Sequence, residues 1–66
     1  MQVRVNGQVR TLADGTSVAE LLDELGMRRE GVAVAVDRAV VPRSRHAEAV
    51  LVEGAEVEVI RAVGGG

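Results

Sequence analysis

Between Thr16 and Gly26 the chain carries its one clear helical period, and this stretch limits the possible architecture more than any other. Ser17 with Glu20 three residues on forms a capping box, in which each side chain satisfies a backbone amide left open at a helix start. Val18, Leu21, Leu22 and Leu25 follow at i, i+3, i+4 and i+7, so one stripe faces a core while Glu20, Asp23 and Glu24 face water. Gly26 is placed to end the helix in a left-handed conformation. The spacing predicts a single helix of roughly two to three turns.

Around that helix the period is two. Met1, Val3 and Val5 alternate with Gln2, Arg4 and Asn6, and Asn6-Gly7 suits the positive φ angles of a tight turn into a second arm, Gln8 to Leu12. After the polar connection from Met27 to Gly31, the run Val32 to Val36 is apolar at every position, as in a strand covered on at least one side. Asp37 and Arg38 read as a turn, and Ala39 to Val41 as a short strand stopped by Pro42, which cannot donate to a ladder. The segment from Arg43 to Val52 is weakly periodic and allows a helical turn. Glu53 and Gly54 form the last turn, and Glu56 to Val59 alternate again before Ile60 leads towards the end. The expected order is strand, strand, helix, strand, strand, strand. One helix must then cover one face of about five strands, giving a two-layer α+β domain.

Composition says what can hold such a domain together. With 66 residues there is material for one core only, and no cysteine and a single histidine exclude disulfides and a structural zinc site. No Phe, Trp or Tyr is present, so Val, Leu, Ile and Ala must supply the packing. Such a domain has no room for an enclosed active site. The net charge of −2, with acids and arginines intermixed, offers no basic stripe for nucleic acid. The opening MQVRVNGQVR is too polar for a signal peptide and no window is long enough to span a membrane, so a cytoplasmic protein is expected. All eight basic side chains are arginine. That leaves no side-chain amine for an activated terminus to acylate, although drift in a GC-rich genome gives the same pattern.

The residues with chemical interest lie at the end: Val63, Gly64, Gly65 and Gly66. Three terminal glycines arise by chance in roughly one chain in a few thousand at average glycine usage, and several-fold more often at this chain's glycine content. Taken alone, the tail leaves a working group and an incidental end both open. Glycine has no Cβ, so a tail of about residues 62–66 ending in three glycines would be flexible, pass a narrow channel and leave its terminal carbonyl carbon unhindered. A free terminal carboxyl, with a pKa of about 3.5, is an anion and a poor electrophile at neutral pH. It needs activation, most simply by attack on the α-phosphate of ATP to give an acyl adenylate. The chain has no phosphate-cradling loop between a strand and a helix, so the ATP must be bound by a partner.

These features together resemble the ThiS family of sulfur carriers in thiamine biosynthesis. The resemblance runs over the whole chain and rests on VNG at Val5 to Gly7, TSVAELLDELG from Thr16 to Gly26, VAVAVDRAVVPR from Val32 to Arg43, EGAEVEVI from Glu53 to Ile60 and VGGG from Val63 to Gly66. It implies a ubiquitin-like β-grasp fold with a mixed sheet, and a chain that is not an enzyme but a co-substrate. It implies further that an ATP-using E1-like adenylyltransferase of the ThiF kind adenylates Gly66. A sulfur donor enzyme then converts it to a thiocarboxylate, and thiazole synthase of the ThiG kind receives the sulfur. Gly66 matches the modified position and Gly65 the penultimate glycine needed for access, while Gly64 is additional.

The sequence departs from the family pattern at Asp37, where asparagine is frequent, at His46, where an aromatic residue is frequent, and at Ala55, where aspartate is frequent. A lone His46 without a second ligand is expected to be a surface or half-buried filler rather than a metal ligand. Partner contact is expected on the apolar sheet surface near the tail, at Val59, Arg61 and Val63. Competing readings are a molybdopterin synthase small subunit, a protein modifier joined to lysines through Gly66 as ubiquitin is, and an interaction module whose glycines are incidental. Length and the VVPR segment favour the thiamine branch over the first.

Overall fold

The computed structural model describes residues 1–27 and 31–61. Its N-terminal hairpin joins β1 (Gln2–Val5) to β2 (Gln8–Thr11), with Val5 opposite Gln8. Asn6 and Gly7 between them have φ angles of 50° and 83°. This pair of left-handed residues gives a tight turn whose twist matches that of the flanking strands. A second hairpin joins β3 (Val32–Val36) to β4 (Ala39–Val41) through Asp37 and Arg38, at φ 50° and 69°. Neither residue is glycine, and side chains in this region cost of order 1 to 3 kcal/mol. The turn is held by Asp37, whose N–H donates to the Glu56 carbonyl at 2.8 Å and whose carboxylate accepts from the Glu56 N–H at 3.0 Å.

The helix α1 (Val18–Glu24) is two turns long, at the short end of expectation. The capping box is present: Ser17 Oγ accepts from the Glu20 N–H at 3.1 Å and Glu20 Oε1 accepts from the Ser17 N–H at 3.0 Å. At the other end Gly26 sits at φ 72°, its N–H donating to Asp23 while the Met27 N–H reaches back to Leu22. This paired closure is the one a left-handed glycine makes possible. Val18, Ala19, Leu21 and Leu22 are buried.

The last strand, β5 (Glu56–Arg61), lies at the centre of a five-stranded sheet of order β2-β1-β5-β3-β4. It runs parallel to β1, with Arg4 opposite Glu56 and Val5 opposite Val57, and antiparallel to β3 along Val57 to Arg61. Every other pairing is antiparallel. The inner face presents Val3, Val5, Val34, Val57 and Val59 to the helix, and Leu12, Leu51 and Ala55 close the margins of this core. A mixed sheet with the first and last strands side by side and one helix laid across it is the ubiquitin-like β-grasp fold. Ala55 takes its place there with 2% exposure, and its carbonyl accepts from the Arg4 N–H at 2.9 Å.

Between β4 and β5 the chain makes a short 3-10 turn at Arg43–Arg45 and then buries His46 to 1% exposure. This corrects the expectation of a surface or half-buried filler. The cause is backbone anchoring: the His46 carbonyl accepts from the Ala19 N–H at 3.0 Å, which draws the residue in against the first turn of α1. In the Nε2–H tautomer the ring donates to the Val41 carbonyl at 3.1 Å, while Nδ1 is buried without a partner.

Two stability measurements follow. Leu22, fully buried, truncated as Leu22→Ala is expected to cost about 2 to 5 kcal/mol, read as a lower urea midpoint at unchanged slope. His46→Phe is expected to hold or raise the midpoint. It forfeits a hydrogen bond contributing about 1 kcal/mol but removes an orphaned nitrogen costing about 1 to 3. A clear fall would show that this buried position needs the polar, smaller imidazole ring.

Candidate functional site

The chemistry expected from the sequence lies beyond β5. Val63, Gly64, Gly65 and Gly66 lie outside the described residues, as does the expected flexible segment 62–66 as a whole, so the geometry concerns the strand that delivers them. Alternation divides β5 cleanly. Val57 and Val59 point to the helix, and Glu56, Glu58 and Ile60 point to the open face of the sheet. Val59 is only 8% exposed. It therefore gives its side chain to the core and not to a partner, which corrects the expectation for that residue. Arg61 is exposed at the end of the strand, opposite Val32, on the helix side of the sheet.

The apolar surface beside the exit is made by other residues. Ile60 is 62% exposed and stands opposite Ala33; one step along, Glu58 stands opposite Ala35, which in turn lies opposite Val40, 75% exposed. Alanines on β3 give a low floor between Ile60 and Val40. The result is a small apolar strip across three strands, next to the point where β5 hands on the chain, with the Glu58 carboxylate at its margin. Ile60 was within reach of sequence reasoning: once Val57 and Val59 are assigned inward, a period of two turns Ile60 outward. Val40 and the alanines were not, because nothing local says which strand lies beside β5.

Nucleotide activation has no evident seat among the described residues. A groove of about 270 Å³ opens at the start of β5, at the opposite end from Arg61, lined by Gln2, Val3, Arg4, Val9, Glu53, Gly54 and Glu56. Two carboxylates against one guanidinium there would repel a polyphosphate, and Glu53 is already committed, accepting from the Gln2 N–H at 2.9 Å. Among the described residues no group of three or more metal-binding side chains is assembled, and no helix is long and apolar enough to cross a membrane.

Residues 3–66 match the model of the ThiS family. The chain belongs to that family. Over 66 residues, the whole of both chains, it is 33% identical to the sulfur carrier protein ThiS of Escherichia coli (strain K12). The crystal structure of the thiamine biosynthesis protein ThiS from Geobacter metallireducens superposes with a TM-score of 0.85 at 32% identity, covering 100% of each chain. A different kind of relative is the thiazole synthase of Magnetococcus marinus, 38% identical over 66 residues. There the match takes in 100% of this chain but 20% of the relative, so a ThiS-like segment occupies part of a longer protein.

The inward and outward assignments on β5 can be tested with a pair of neighbours. Ile60→Glu is expected to change stability by no more than about 0.5 kcal/mol. Val59→Glu, which puts a carboxylate into an aliphatic core, is expected to abolish cooperative thermal unfolding by circular dichroism.

Proposed function

We propose that this ThiS-family chain is a cytoplasmic sulfur carrier of thiamine biosynthesis whose working group is the carboxyl of Gly66. In this reading an E1-like enzyme binds ATP and the carrier together. A carboxylate oxygen of Gly66 attacks the α-phosphorus, pyrophosphate leaves, and the acyl adenylate that results has AMP as a good leaving group. Sulfur delivered at the sulfide level by a donor enzyme attacks the acyl carbon and AMP leaves, giving the Gly66 thiocarboxylate, whose sulfur thiazole synthase takes into the thiazole ring. The carrier itself supplies no catalytic residue.

The observation that carries this reading is the full-length match to a sulfur carrier protein, in a chain whose last residues are Gly64, Gly65 and Gly66. Thiazole synthase as the receiver is supported by the relatives of that name from Magnetococcus marinus and Paramagnetospirillum magneticum, each of which matches the whole of this chain. A carrier segment and a synthase in one chain is the arrangement expected of groups that must meet. The strip of Ile60, Ala33, Ala35 and Val40 is the surface on which the activating enzyme would seat the carrier, because an apolar centre beside the exit fixes the direction of the tail.

Mass spectrometry of the protein from its own cells is expected to find one oxygen replaced by sulfur, localised to Gly66 in C-terminal fragments. Fragments are required because oxidation of Met1 or Met27 gives the same nominal shift. A free carboxylate, with Gly66 found instead on lysines of other proteins, would replace the carrier reading with that of a modifier. Gly65→Val, which adds β-branched bulk where the tail must thread, is expected to abolish ATP–pyrophosphate exchange with the melting temperature unchanged. Exchange at the wild-type rate would overturn the threading argument.

A further inference from the structure

The two ladders of β5 are unequal. On the β3 side the strand is paired from Val57 through Arg61. On the β1 side the paired residues stop at Val57, because the chain turns away at Asn6 with φ 50°. The Arg4 N–H donates to the Ala55 carbonyl and the Asn6 N–H to the Val57 carbonyl, both at 2.9 Å. A parallel partner that continued would next offer the carbonyl of residue 6 to the Val59 N–H and the N–H of residue 8 to the Val59 carbonyl.

The Asn6 side chain supplies both groups. Its Oδ1 accepts from the Val59 N–H at 2.9 Å, and its Nδ2 donates to the Val59 carbonyl at 3.2 Å. One carboxamide thus stands in for the peptide group that the turn removed, and carries the ladder one rung further towards the tail. Val59 would otherwise present an unpaired N–H and C=O at a half-buried position, which folded proteins rarely leave open. We propose that Asn6 is a positioning residue for the carrier reaction: by holding β5 on its β1 side through Val59, it fixes the direction in which the chain leaves the sheet towards Gly66. This rests on the reading of Gly66 as the activated group. The role assigned to Asn6 is exerted only through the strand, by its two hydrogen bonds to Val59.

The role is separable from the turn. Asn6→Gly keeps a residue that adopts positive φ freely and removes only the amide clamp. Asn6→Asp keeps the shape and the acceptor, but sets a carboxylate oxygen against the Val59 carbonyl in place of the donor. Two readouts decide the matter, both on the intact 66-residue chain. By NMR hydrogen exchange, both variants are expected to speed exchange at the Val59 amide roughly tenfold or more, with Val34 and Val57 amides unchanged. In ATP–pyrophosphate exchange with the E1-like enzyme of the same cell, the KM for the carrier is expected to rise roughly tenfold while kcat holds. This split arises because a smaller share of free carrier has its exit correctly set, and saturation restores the bound state.

Wild-type protection of Val59 in Asn6→Gly would overturn the clamp. Faster exchange there with an unchanged KM would overturn the positioning role. Absence of pyrophosphate exchange with the wild-type chain would instead remove the activation reading, and with it the catalytic part of this proposal. The Val59 amide would still decide whether Asn6 holds the strand.

Discussion

Everything in this domain depends on one contact, the aliphatic stripe of α1 against the inner face of the sheet around β5. A helix of seven residues is well below the length at which isolated helices persist in water, and a lone two-stranded hairpin is marginal. Neither hairpin includes β5. Its neighbours are drawn from distant parts of the chain, Val5 opposite Val57 on one side and Val34 opposite Val59 on the other. Only when Val18, Leu21 and Leu22 cover Val3, Val34 and Val57 do the two hairpins acquire a common strand. The absence of cysteine and of aromatic residues makes this aliphatic contact the one source of cohesion large enough to matter.

The polar groups arrange that contact. The capping box sets where α1 begins, Gly26 sets where it stops, and Asp37 ties the second hairpin to the start of β5. Asn6 does the corresponding work towards the other end. Among the described residues, the core holds no group that the proposed reaction uses. A chain with this little material has no room to enclose a cavity.

Most of the local structure could be read from the residues alone, because its determinants are local. Ser17 with Glu20, Asn6 with Gly7, and Pro42 after Val41 each specify a cap, a turn or a stop within a few positions. The central place of β5 and its parallel pairing with β1 carry no such signal. They arise from pairing β5 with β1 and β3 at once while Val57 and Val59 pack under the helix, which is a property of the assembled layer. The misreadings have the same origin. Hydrophobicity near the tail points to Val59 as a partner contact, whereas the alternation along β5 turns it inward and Ile60 outward. The burial of His46 is imposed by a backbone bond to Ala19, which no spacing reveals. Asn6 reads as a turn residue from its neighbour Gly7, while its second engagement, with Val59, joins residues far apart in the chain.

The central position of β5 also has a mechanical side. A partner that draws on the chain beyond Arg61 pulls along a strand flanked by two others, so the load falls in shear across several backbone hydrogen bonds together. An edge strand pulled in the same way could be peeled off one bond at a time. The arrangement thus lets the end of the chain be gripped and drawn taut without opening the domain that carries it.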